Sequence, residues 1–141
     1  MAEKGSGRRM SQEEQAYIER VYQNQYMMVG NAINAAVQEL QELNSAAKSL
    51  DEMEKLEGKE SFASIGGDFY LKSQIKTGAK VIIGVGGGFM VEKGVDSAKQ
   101  TVTKRIDAKN NMINKLMKSR KELEEAVVNI QSGIAPEVNS E

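Results

Sequence analysis

From Tyr22 onward the apolar positions fall in a strict alternation of four and three residues: Tyr22, Tyr26, Val29, Ile33, Ala36, Leu40, Leu43, Ala47 and Leu50. An average period of 3.5 residues is the pattern of a coiled-coil seam. The positions between are largely Gln, Glu, Asn, Ser and Lys, which suit a solvated face. Near its end the seam slips by one residue to Met53 and Leu56, and Gly58 stands where a helix gives way to a left-handed residue. Upstream, Ser11-Gln-Glu-Glu14 has the spacing of a capping box, in which the Ser hydroxyl accepts from the N–H three residues on. The pattern predicts a helix over about 12–57, roughly 70 Å long at 1.5 Å per residue. Residues 11–58 are thus read as an N-terminal coiled-coil helix, preceded by a disordered tail at 1–10.

A second seam follows the same rule at Val95, Val102, Ile106, Ile113, Leu116, Leu123, Val127, Ile130 and Ile134. Lys99, Lys109 and Arg120 interrupt it, and long cationic side chains can lie along a seam while keeping their charge in water. Gly94 is an acceptable N-cap, and Gly133 and Pro136 end the pattern. Residues 95–134 read as a C-terminal coiled-coil helix, with 135–141 a tail. The simplest way to bury both seams is to fold them onto each other as an antiparallel coiled coil, because helix stability in water comes mainly from packing an apolar stripe.

Residues 59–94 change character: all three Phe and most of the Gly lie here. Phe62–Ile65 reads as a strand, Gly66-Gly67 as a turn or bulge, and Phe69–Ile75 alternates with period 2, with Phe69, Leu71, Ser73 and Ile75 on one face. Thr77-Gly78 is a turn signal, Lys80–Val85 a strand, Gly86–Gly88 a turn, and Phe89–Lys93 a strand. The fold class expected is mainly α: a long antiparallel coiled-coil hairpin with two short β-hairpins between the helices. Two hairpins bury little and leave open edges, so Phe62, Ile65, Phe69, Leu71, Ile75, Val81, Ile83, Val85, Phe89 and Val91 are expected to meet other subunits.

Composition narrows the chemistry. The 141 residues include no Cys, His or Trp. This removes thiolate nucleophiles, disulfides and the commonest general base and metal ligand. Net charge is −1 and pI about 5.7, without the basic excess of a duplex-binding domain. No apolar run approaches the roughly 18 residues of a membrane span, and Met1–Met10 lacks the apolar core of a secretory signal. The expected compartment is the cytoplasm. Gly84-Val-Gly-Gly-Gly88 follows a strand, as a dinucleotide fingerprint does. Its third glycine would fall at Phe89, however, with a strand after it, and no Lys-Ser/Thr of a P-loop follows. A hairpin turn fits better. Glu122, Glu124 and Glu125 read as a solvated face. No catalytic, cofactor or metal residue is expected.

The run Ile65-Gly-Gly-Asp-Phe-Tyr-Leu-Lys-Ser-Gln-Ile-Lys76, with Lys80-Val-Ile-Ile-Gly-Val-Gly-Gly-Gly-Phe-Met-Val-Glu-Lys93, resembles the double hairpin of alpha-class prefoldin subunits. One departure is Ser64, where that family often has Pro before the Ile-Gly turn. The resemblance implies an ATP-independent chaperone subunit in a hexamer of two alpha-type and four beta-type subunits. The hairpins would build a β-barrel platform, and unfolded clients held at the coil tips would pass to a group II chaperonin. The expected client-binding residues are Tyr17, Ile18, Val21, Met27 and Met28 on the first helix and Met117, Val128 and Ile130 on the second. Methionine suits such a surface because it repacks against many shapes. Packing within the coil is the competing reading, above all for Val21, Ile130 and Ile134. Gln15 and Glu19 stand where apolar residues would continue the seam, so the helix ends are expected to splay. The alternative function is a coiled-coil tether for a specific partner helix, which leaves the β segment unexplained.

Overall fold

The structure is a computed structural model that describes residues 10–133. Both tails (except Met10), the seam residue Ile134 and Pro136 lie outside the described residues. The element order is α1 (Gln12–Lys55), β1 (Glu60–Gly66), β2 (Phe69–Gln74), β3 (Val81–Gly86), β4 (Phe89–Lys93) and α2 (Val95–Gln131). The chain divides into two compact units, Met1–Gln38 with Asn111–Glu141, and Glu39–Asn110. Both helices contribute to each unit.

Helix α1 starts where the capping box places it. The Glu14 N–H donates to Ser11 Oγ at 3.2 Å, and Glu13 and Glu14 put negative charge at the positive end of the helix dipole. It stops at Lys55, two residues short of the sequence expectation. The backbone N–H of Leu56 is shared between the carbonyls of Glu52 and Met53, Glu57 forms a bridge with Ile75, and the Gly58 N–H donates to Ile75 O at 2.7 Å. Gly58 makes this possible with φ 74°, a left-handed conformation that costs glycine little. At the other junction, Ala98 N–H donates to Gly94 O at 2.9 Å, which opens α2 at its cap.

Within each unit the two helix segments run antiparallel. In the unit of Met1–Gln38 and Asn111–Glu141, Gln15 meets Gln131 and Tyr26 meets Glu124, and Ile33, Ala36, Ile113 and Ile130 are buried. In Glu39–Asn110, Glu39 meets Lys109 and Asp51 meets Lys99. The core here is Leu50, Ala98 and Val102, ringed by Ala47, Met53, Val81, Ile83 and Ile106. Every described apolar seam position named from the sequence is at least partly buried. Ala98 is an addition: it is fully buried beside Lys99, the position the heptad count assigns to the seam. Its small side chain leaves room for β3 against the coil.

The four strands form two separate antiparallel pairs, β1–β2 and β3–β4. Their turns share one construction. Gly66 pairs with Phe69 and Gly86 with Phe89, each after a register shift, leaving two-residue loops at Gly67-Asp68 and Gly87-Gly88. All four loop residues have positive φ, the condition for the tight turn whose twist matches antiparallel strands. Asp68, at φ 64°, is the non-glycine member; Asp tolerates this region better than most residues.

Leu50→Ala should lower unfolding free energy by about 2–5 kcal/mol, the usual cost of emptying a buried Leu site. Urea denaturation followed by far-UV circular dichroism measures it, and a loss well under that range would mean that Leu50 is not central to this core.

Candidate functional site

Two surfaces stand out. The first is the pair of hairpins. Register places Phe62, Tyr70 and Lys72 on one face of β1–β2, with Ala63, Leu71 and Ser73 on the other. In β3–β4, Val81, Ile83 and Val91 share a face opposite to Ile82 and Met90. Phe62, Ile65, Phe69, Tyr70, Leu71, Ile82, Val85, Phe89, Met90 and Val91 are all exposed, Phe89 by 72 %. Large apolar side chains grouped in this way mark an interaction surface. Val81 and Ile83, expected to face other subunits, instead pack against the chain's own Leu50–Ala98–Val102 core, and Ile75 is partly buried. The outward face of β3–β4 is carried by Ile82 and Met90. Strict alternation along Val81-Ile82-Ile83 separates these faces, but three consecutive β-branched residues give no clue as to which one meets the coil.

Polar contacts fix β3–β4 in place. Arg105 Nη2 donates to Gly84 O at 2.8 Å, and Lys93 Nζ donates to Thr101 Oγ1 at 3.0 Å. A cation on the Gly84 carbonyl, with Gly86–Gly88 forming the turn, makes the glycine run a strand strapped to a helix and not a phosphate cradle. The β1–β2 pair is tied near its base, where Gln74 Nε2 donates to Gly58 O at 3.0 Å. An open groove of about 520 Å³ lies beside the strapped strand, lined by residues that include Leu43, Met53, Ile82 and Thr101.

The second is a set of exposed apolar side chains, on both flanks of the seam, in the unit formed by the start of α1 and the end of α2. Tyr17, Met27 and Met28 are exposed on α1, and Met112, Met117 and Val128 on α2. Tyr17, Val21 and Met28 share one stripe by their spacing. Ile18 and Val21 are partly buried, and Ile130 is fully buried. Met112 joins the group on exposure alone; its sequence position beside the seam residue Ile113 did not single it out. Gln15 and Glu19, expected to loosen the helix ends, continue the seam as a polar clasp. Gln15 Nε2 donates to Gln131 O at 3.4 Å, and Gln131 Nε2 donates to Glu19 Oε1 at 3.0 Å. Glu124 is more than a solvated carboxylate, because it accepts from Tyr26 Oη at 3.0 Å.

Charge reinforces the seam. Lys99 Nζ lies 2.7 Å from Glu54 and 3.1 Å from Asp51, and Lys109 pairs with Glu39. The bonds to Glu54 and Asp51 raise the Lys99 pKa, and the bond to Glu124 raises that of Tyr26. Among the described residues no group of three or more His, Cys, Asp or Glu is placed to hold a metal, and no helix is long and apolar enough to cross a membrane.

Comparison with known proteins places this architecture. The family model for prefoldin subunits matches residues 22–139. The prefoldin subunit alpha of Methanobrevibacter smithii is 22 % identical over 107 residues, 76 % of this chain and 73 % of that protein. That of Thermofilum pendens is 28 % identical over 94 residues, 61 % of this chain and 73 % of that protein. A cryo-EM structure of filamentous prefoldin from Methanocaldococcus jannaschii superposes with a TM-score of 0.69 at 18 % identity, covering 80 % of this chain and 94 % of that one. The fold and the matched segment define a chaperone subunit of the two-helix, hairpin-centred kind. The chain belongs to the prefoldin family, and its double hairpin and its relatives make it an alpha-class subunit.

Tyr26 and Lys99 both hold their protons more tightly when folded. Each therefore contributes stability that is complete below its unfolded pKa, about 10 for either group, and is lost as pH rises through the folded value. The coil should keep the contribution of these two contacts up to about pH 10 and lose that part of its urea resistance above. Tyr26→Phe should weaken the neutral protein slightly and flatten the alkaline loss; an unchanged alkaline profile in that variant would remove the Tyr26–Glu124 contact from the account.

Proposed function

We propose that this chain captures non-native proteins without ATP on the apolar flanks of its coiled coil and assembles through its hairpins with beta-type prefoldin subunits, in a hexamer of two alpha and four beta chains. Clients then pass to a group II chaperonin, in the cytoplasm. The observation that carries this reading is the set of exposed apolar side chains on the two hairpins, too many for strands meant to face water. Removing one such side chain from water is worth about 1.5–3 kcal/mol, so covering several supplies a strong drive to assemble. A simple tether would have no use for them.

Capture rests on Tyr17, Ile18, Val21, Met27, Met28, Met117 and Val128, which are exposed or partly buried. Ile130, buried against the coil, contributes only where the helices part. A second mode of assembly has its own support. The two hairpins share one turn construction but differ in how they meet the coil, so pairing the first hairpin of one copy with the second of the next would be head-to-tail. Such contacts close into rings or propagate as filaments, and the Methanocaldococcus jannaschii neighbour is filamentous.

Two sets of variants separate the surfaces. Ile18, Met27, Met28 and Val128 changed together to Ser should lower the capture of a denatured client, read as suppression of its aggregation, with assembly intact. Unchanged capture would assign client binding to the partner subunits. Ile82→Asp or Phe89→Asp should block assembly while leaving the helices folded, because a charge enters the contact surface. Native mass spectrometry with and without beta-type subunits reads this, and an intact hexamer would refute it. Ile83→Asp should also disturb the coil itself, since Ile83 packs on the Leu50 core.

A further inference from the structure

The chain contains eight Met but no Cys, His or Trp. Two-electron oxidants of the peroxide class therefore find their readiest targets in thioethers, ranked by exposure. Met27, Met28, Met112 and Met117 are 63, 69, 48 and 47 % exposed, and all four belong to the unit of Met1–Gln38 and Asn111–Glu141. Met53 packs against the Leu50 core instead. Two of the exposed four lie on each helix, and none occupies a seam position.

We propose that Met27, Met28, Met112 and Met117 are an oxidation-sensitive set of exposed thioethers, on both flanks of the seam, whose conversion to methionine sulfoxide switches off client capture without unfolding the coil. This rests on the reading of those flanks as the client surface. In the step itself the thioether sulfur attacks one peroxide oxygen. An S–O bond forms, the O–O bond breaks and water leaves; the sulfur loses two electrons and the peroxide gains them. An apolar, adaptable side chain becomes a polar acceptor that resists burial against a client. The fold survives because the seam of this unit is built from Tyr22, Tyr26, Val29, Ile33, Leu116, Leu123 and Val127, none of which carries sulfur. Methionine sulfoxide reductases reverse the change, so the set is a switch and not only a lesion. Met90, 70 % exposed on the hairpin, falls under the assembly surface and serves as an internal marker.

The test uses the chain assembled with its beta-type subunits, treated with hydrogen peroxide, quenched with catalase and only then given denatured client. Peptide mapping should find sulfoxide at the four sites ahead of Met53, with Met90 protected relative to the unassembled chain. Capture should fall with helicity unchanged, and a reductase pair acting on both sulfoxide epimers should restore it. A variant with the four residues changed to Leu should keep whatever capture it starts with through the same treatment. Full sulfoxide at the four sites with undiminished capture would overturn the inference, as would an equal loss in the Leu variant or a loss of helicity. Failure of the untreated assembly to capture client would instead overturn the functional reading beneath it.

Discussion

Neither helix of this protein would hold its length in water without the other, and the packing of one heptad stripe against the other is the condition for everything else. A long amphipathic helix gains little from propensity alone and most of its stability from covering its apolar stripe. Apolar seams are permissive about register, however, because a slip of one heptad buries much the same surface. The ion pairs limit that freedom. Lys109 meets Glu39, and Lys99 meets Asp51 and Glu54. One heptad away from those acids stand Ala32 and Ala46, Asn44 and Gly58, and Ala47 and Ser61. No acid is among them, so a slipped coil would leave half-buried ammonium groups without these partners. Such partly exposed pairs each add modest stability and favour this alignment.

Fixed register in turn decides how the β segment is presented. The Arg105 guanidinium can reach the Gly84 carbonyl, and Val81 and Ile83 can reach the Leu50 core, only with α2 in this alignment. A two-stranded hairpin is marginal alone. Here β3–β4 borrows stability from the coil on one face and leaves the other, with Ile82 and Met90, exposed. The first hairpin borrows less, through the Gly58–Ile75 and Gln74–Gly58 bonds, and exposes apolar residues on both faces. The sequence holds these strands in shape with turns that need no partner, so that the contact surface exists before assembly.

Much of this was legible in the chain beforehand, because the signals are local. The 4,3 alternation, the Ser11 cap, the positive-φ loops and the period-2 strands each depend on residues close in sequence, and their elements lie where the patterns put them. What escaped depends on three-dimensional neighbours. The side of β3 that meets the coil turns on Ala98, whose size matters only once β3 lies over it. Helix α1 ends early because Ile75, far along the chain, competes for the Glu57–Gly58 backbone. Gln15 and Glu19 looked like defects in a seam until Gln131 supplied an acceptor for one and a donor for the other. In the group of expected client-binding residues, heptad phase separates buried Ile130 from exposed Val128, but exposure of Met112 needed the packed coil to be seen.

These observations divide labour among side chains in a way that suits a chaperone. Specificity resides in the rigid parts: charged pairs set register, glycine turns set hairpin geometry, and a small buried alanine sets the approach of strand to coil. The large apolar side chains exposed on the unit of Met1–Gln38 and Asn111–Glu141 are Met, Val and Tyr, whose contacts depend on area and adaptability more than on angle. A surface of that kind accepts many shapes because it asks for none in particular. Directional contacts and adaptable apolar area are thus carried by different side chains of one chain.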